Sequence, residues 1–140
     1  MKYAIRILVL TSTLLPLLAA AQLGNGVVAQ VPFEFTVANH VVPAGDWLVQ
    51  WALPNTKGTV QIRNLSGKEG LFVPVLPDEA PKARKDCALV FHRYGQLYFL
   101  AGIATTGSHT IYRLRETKAE AELRARNMTA AEENIIASMK

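Results

Sequence analysis

The feature that most constrains this chain is a two-residue alternation of apolar and polar side chains. Between residues 31 and 37, every odd-numbered residue is Val or Phe, and the even-numbered residues are Pro, Glu and Thr. Successive side chains of a strand point to opposite faces, so this pattern predicts a strand with one dry face and one wet face. After a turn at 43–46, the alternation resumes at Trp47, Val49 and Trp51.

The same rhythm recurs along most of the chain. It predicts further strands around 60–62, 71–75, 88–94, 97–104 and 110–114. Gly95 and Gln96 separate two of these runs and are typical of a hairpin turn. Pro74 has no N–H for a ladder, which places its strand at a sheet edge or at a bulge.

Six to seven short strands with turns between them predict an all-β fold. We expect a single antiparallel β-sandwich or a small barrel, with a short C-terminal helical extension. The helical patterns that a parallel α/β fold needs between its strands are absent from this region. The pattern does not distinguish sandwich from barrel.

The last quarter of the chain changes to helical chemistry. Thr117 and Glu120 have the spacing of a capping box, and Glu120 with Arg124 forms an i, i+4 pair, which predicts a helix over about 118–126. Thr129 and Glu132 repeat the capping spacing and predict a second short helix toward the C-terminus. Its Ile135 and Met139 side is a candidate surface for a partner or a second copy.

The N-terminus has the layout of a secretory signal peptide. Lys2 and Arg6 precede an apolar stretch at 7–18, and three alanines end it at Ala21. The stretch is about twelve residues, short of the roughly twenty that cross a membrane as a helix, so we expect no stable transmembrane anchor after cleavage. Cleavage is expected before Gln22, with a weaker second site after Ala29.

These segments divide the chain into four parts: a signal peptide at 1–21, a linker at 22–30, a β-domain at 31–114 and a charged helical segment at 115–140. The expected location is exported, either periplasmic or extracellular. Removing residues 1–21 lowers the net charge from +4 to +2, and the remaining basic residues are scattered among acidic ones. This distribution argues against a nucleic-acid partner.

Three stretches together carry a family resemblance. They are VPFEFTV at 31–37, VPAGD at 42–46, and LVFHRYG at 89–95 followed by YFL at 98–100. The chain resembles, over roughly 31–126, a family of small exported bacterial proteins with no assigned function. The resemblance implies a bacterial envelope or secreted location and brings no catalytic residues. Trp47 after Asp46 departs from the family pattern, in which tyrosine is expected there.

No catalytic, cofactor or metal site is predicted. His40, His92 and His109 lack metal-ligand spacing, and no serine has the context of a nucleophile. Cys87 is the only cysteine. It is expected to be a buried small hydrophobe, and the alternative is an intermolecular disulfide or a reactive thiol.

Aromatic and arginine side chains on a sheet face are the usual material of a recognition surface. The candidate recognition surface therefore comprises His92, Arg93, Tyr94 and Tyr98. The competing interpretation is that the aromatic residues of these strands belong to the core.

The leading functional hypothesis is a non-enzymatic binding or structural protein of the cell envelope or extracellular space. Its expected partner is an unknown envelope protein or a second copy of the chain. The alternative is a carrier or sensor of a small ligand, held in a cavity lined by Trp47, Trp51, Phe91 and Phe99. An enzyme is the least favoured of the three classes.

Overall fold

The alternating segments form one continuous β-sheet in the computed structural model, which describes residues 26–53, 55–67 and 70–139. The strands and the helix follow one another as β1 (Gly26–Val31), β2 (Phe35–Val37), β3 (His40–Val42), β4 (Gly45–Leu53), β5 (Thr56–Asn64), β6 (Gly70–Glu79), β7 (Cys87–Tyr94), β8 (Leu97–Ala104), β9 (Thr110–Leu114), α1 (Lys118–Ala125) and β10 (Ala131–Met139).

The sheet closes on itself to form a barrel. Eight strands take part in the order β8-β7-β10-β1-β4-β5-β6-β9, and pairing of β9 with β8 completes the ring. All neighbouring pairs within the ring are antiparallel. The β2–β3 hairpin lies outside the ring, where Thr36 of β2 pairs with Phe99 of β8 in parallel.

The inward-facing side chains fill the barrel with one apolar core. Phe91 is fully buried, and Phe35 of the β2–β3 hairpin packs edge-to-face against it and against Trp47, with ring centroids 5.2 and 5.5 Å away. The hairpin therefore covers one end of the barrel. The strands of the ring contribute the inward rows Val27, Ala29, Val31, Val49, Val60, Ile62, Val73, Val75, Leu89, Ile103, Tyr112 and Ala137.

Local backbone features agree with the turn chemistry. The β7–β8 turn has Gly95 at φ 62°, as a two-residue hairpin requires. The β2–β3 turn places Ala38 at φ 46° and Asn39 at φ 68°, a conformation in which alanine is unusual. The register between β7 and β8 shifts between Val90 and Phe91, which leaves Ala101 of β8 as the extra residue of a β-bulge. On its other side, β8 pairs with β2 before the bulge and with β9 after it.

The all-β antiparallel class is confirmed, and the number of strands is larger than predicted. β1 begins at Gly26, inside the segment 22–30 that was predicted to be a linker. The β-structure also continues beyond residue 114, because the second predicted helix is wrong and its residues form β10 between β1 and β7. The predicted signal peptide, residues 1–21, lies outside the described residues.

The expectation for Pro74 was also wrong in part. β6 pairs with β5 on one side and with β9 on the other, so it is not an edge strand. The β9 ladder reaches only Val75, opposite Leu114, so the missing N–H of Pro74 removes no bond from that ladder.

We predict that Phe91→Ala lowers the free energy of unfolding by about 3–5 kcal/mol, because it leaves a cavity where three aromatic rings meet. Phe72→Ala is the matched control: Phe72 is 65% exposed, and its loss is expected to change the free energy by less than about 0.5 kcal/mol. Urea denaturation of both variants measures the difference. Equal effects would contradict the assignment of Phe91 to the core.

Candidate functional site

Helix α1 is fixed to the outer wall of the barrel by one buried carboxylate. Glu120 is only 5% exposed, and its Oε1 lies 2.6 Å from Nδ1 of His92 and 3.1 Å from the hydroxyl of Tyr94. His92 and Tyr94 are two residues apart on β7 and face outward, because Phe91, the residue before His92, points into the core and side chains alternate along a strand. Both donate a hydrogen bond to the same carboxylate oxygen.

The start of the helix explains why this carboxylate is available. Thr117 is the N-cap, and its Oγ1 accepts a hydrogen bond from the backbone N–H of Glu120 at 3.1 Å. This half of the predicted capping box is confirmed. The Glu120 carboxylate accepts hydrogen bonds from His92 and Tyr94 of the barrel, and so it attaches the helix to the barrel wall.

The cluster changes the acidity of its members. The hydrogen bond to Glu120 raises the pKa of His92 above its ordinary value of 6.5, and this effect outweighs burial, which lowers it. The charges of Arg113 and Glu132 act on His92 in opposite directions. Burial raises the pKa of the Tyr94 hydroxyl, and the negative charge of Glu120 adds to the effect.

A pocket of about 220 Å³ lies between α1 and strands β7 to β9. Its polar lining is already engaged in pairs: Glu120 with His92 and Tyr94, Arg124 with Glu116 at 2.8 Å, and Arg113 with Asp78 at 3.3 Å. A charged ligand would have to break one of these pairs to bind. The described lining residues include no serine, threonine or cysteine that could act as a nucleophile.

The structure separates the four predicted recognition residues into two pairs on opposite faces of the sheet. His92 and Tyr94 belong to the outward cluster at Glu120. Arg93 and Tyr98 face the other way, where Nη1 of Arg93 lies 2.9 Å from Glu133 and its guanidinium lies 5.7 Å from the Tyr98 ring. Phe33 stacks on Tyr98 with 3.7 Å between ring centroids. Side chains that alternate along two strands cannot form one continuous surface.

The four residues predicted to line a ligand cavity do not lie around a common space. Trp47 and Phe91 are buried in the core, and Nε1 of Trp47 donates to the Pro43 carbonyl at 3.1 Å. Phe99 faces outward against Tyr94. Trp51 borders a cavity of about 30 Å³, which is about the volume of one water molecule.

The remaining candidates from the sequence are the thiol of Cys87 and the potential metal ligands. Cys87 is 2% exposed, and its Sγ lies 3.1 Å from Oγ1 of Thr106, so burial shields the thiol from a partner chain. Among residues 26–53, 55–67 and 70–139, no group of three or more potential metal ligands occurs.

A second surface, which the sequence analysis did not single out, lies on the outer wall at β6. Phe72 and Leu76 are 65% and 70% exposed, and Pro74 lies between them on the same face. We refer to Phe72, Pro74 and Leu76 as the β6 row. The available signal was the composition of 71–76, where the positions between the predicted inward residues are also apolar. The role of Glu120 in binding the barrel had no local signal, because its partners lie 26 and 28 residues away.

No protein family, curated protein or solved structure matches this chain.

The sign of the pH effect follows from the raised pKa of His92. The folded protein holds this proton more tightly than the unfolded chain does. The resulting stabilisation is fully present below about pH 6.5 and is lost as the pH rises through the folded pKa.

We predict that Glu120→Gln lowers the pKa of His92, removes this pH-dependent part of the stability, and reduces the free energy of unfolding at pH 6 by about 1–3 kcal/mol. NMR titration of the His92 ring and denaturation at pH 6 and pH 8 measure the two effects. Glu132→Gln is the control, since Glu132 acts on His92 through charge alone and should have a smaller effect. An unchanged His92 pKa in Glu120→Gln would contradict the assignment.

Proposed function

We propose that this protein is a small exported β-barrel without enzymatic activity, which works by binding another component of the cell envelope or extracellular space. The observation that carries the proposal is the exposed β6 row. Contiguous apolar side chains on the outside of a small soluble domain often mark a binding surface.

The position of the β6 row supports a binding role because the fold does not need it. Val73 and Val75, which alternate with the row, already supply the core contribution of β6. β6 pairs with β5 over residues 70–74 and with β9 over residues 75–79. Polar side chains at positions 72 and 76 would leave the packing of the barrel core unchanged.

The partners that the sequence suggests, an envelope protein or a second copy, would both use this wall. The open edge of β3 is a poorer docking site. That edge strand has only three residues and is followed by Pro43, and both features limit pairing with a further strand. Binding through exposed side chains is therefore the mode that we propose.

A carrier of a small ligand inside the barrel is the weaker proposal. Pockets for organic ligands have volumes of roughly 300–1,000 Å³, whereas the cavity beside Trp51 has about 30 Å³. The aromatic side chains that were expected to line a cavity pack against other rings: Trp47 and Phe91 against Phe35, Trp51 against Tyr112, and Phe99 against Tyr94.

Export is part of the proposal, and the position of β1 favours one of the two cleavage sites. Cleavage after Ala29 would remove Gly26–Ala29 from β1, which pairs with β4 and β10 within the ring. Cleavage after Ala21 leaves the whole strand in place. Among the described residues, no helix has the length and the apolar character needed to cross a membrane.

We predict that the exported protein begins at Gln22, because of the two cleavage sites only the one after Ala21 leaves β1 complete. N-terminal sequencing or intact mass measurement of protein recovered from the producing cells tests this. A protein that begins at Gln30, or one that retains residues 1–21, would contradict the prediction.

We predict that the double variant Phe72→Ser/Leu76→Ser loses binding to envelope preparations from the producing cells. Burial of the two side chains should contribute roughly 1.5–3 kcal/mol each, so the bound fraction should fall by at least about tenfold. The matched control is Val41→Ser/Ile136→Ser, at positions that are 66% and 69% exposed on strands that do not pair with β6.

Sedimentation of envelopes with the purified protein measures the bound fraction. The proposal fails if the wild-type protein stays in solution, or if the β6 variant and the control bind equally well.

A further inference from the structure

We infer that the occupant of the β6 row is a membrane surface that contains anionic lipids. This inference rests on the proposed function, which places binding on this wall, and it specifies the chemistry of the partner.

Basic side chains flank the row on both sides. On β5, Thr59 and Gln61 lie opposite Pro74 and Phe72, and the exposed Lys57 and Arg63 precede and follow them on the same outward face. On the other side, Arg113 of β9 pairs directly with Leu76, and Arg115 follows the end of β9. The apolar row thus has basic side chains near it on the strands to either side.

Few acidic groups offset these cations on the same wall. Among the described outward positions of β5, β6 and β9, Asp78 is the carboxylate, and it lies 3.3 Å from Arg113 in an exposed ion pair. Lys57, Arg63 and Arg115 are the basic residues of this wall besides the paired Arg113. Apolar side chains flanked by Lys and Arg are the composition of surfaces that bind anionic bilayers.

The charge pattern argues against a second copy as the occupant. In a two-fold dimer the same patch of both copies meets, so two β6 rows in contact would bring their flanking arginines and lysines toward one another. Like charges at an interface disfavour association.

The shape of the wall favours a bilayer over a folded protein. The outside of a barrel is convex, and Phe72 and Leu76 protrude from it with most of their surface exposed. A folded partner would need a matching concave pocket. A lipid interface closes around protruding side chains without such complementarity, with the apolar groups at the acyl boundary and the cations at the headgroups.

The test uses vesicles of defined composition and the exported protein at low salt. One set contains phosphatidylglycerol and phosphatidylcholine in equal parts, and the other contains phosphatidylcholine alone. Co-sedimentation is expected with the first set only, and it should weaken as salt is added.

Two pairs of variants separate the apolar contribution from the charges. Phe72→Ser/Leu76→Ser and Arg63→Glu/Arg115→Glu should each weaken vesicle binding by at least about tenfold. The controls are Val41→Ser/Ile136→Ser for the apolar change and Lys82→Glu/Lys85→Glu for the same change of net charge in the exposed loop after β6. Both controls should bind as the wild-type protein does.

The outcomes distinguish this inference from the proposed function. Binding to envelopes that is lost after protease treatment, without binding to lipid vesicles, would identify a protein partner. That result would overturn the lipid inference and leave the proposed function standing. A doubled mass in solution that depends on Phe72 and Leu76 would overturn it in favour of a second copy. Absence of binding to both envelopes and vesicles would overturn both proposals.

Discussion

The pairing of β10 with β1 and β7 is the contact on which the barrel depends. Without it, β1 and β7 would each present an open edge, and the ring would be an open sheet. The last strand of the chain thus joins the first strand to the middle of the sequence. Closure brings Ala137 of β10 into the core beside Ala29 of β1 and Cys87 of β7, so the interior is sealed only when the whole chain is in place.

This closure also determines where helix α1 lies. The chain leaves the ring at Leu114 of β9 and re-enters it at Ala131 of β10, so it must cross β8 and β7 on the outside. Helix α1 has little apolar surface for the crossing, since Leu123 is only half-buried and the alanines are exposed. The buried carboxylate of Glu120 supplies the attachment that apolar packing would otherwise provide, and β7 offers His92 and Tyr94 to receive it. Burial of a carboxylate is tolerable only with such partners.

The sequence predicted those parts of the fold that depend on neighbouring residues. The alternating strands, the Gly95 turn and the Thr117 cap all follow from local chemistry, and the structure contains each of them. The β10 prediction failed because its segment, rich in alanine and glutamate, favours a helix by itself. The edges of β1 and β7, which are distant in sequence, pair with this segment and hold it in the extended form. Tertiary context therefore overrides its helical propensity. The candidate site was predictable only in part for the same reason, since a bulge and strand alternation decide that Arg93 and Tyr98 face away from His92 and Tyr94.

The two faces of β6 differ in what constrains them. Its inward residues Val73 and Val75 are each 3% exposed and belong to the apolar core, so they must be apolar. Its outward residues Phe72 and Leu76 are 65% and 70% exposed, so packing of the core does not require them to be apolar. The contrast between an apolar row that the core does not require and the basic residues near it supports the proposed binding surface on the outside of the barrel.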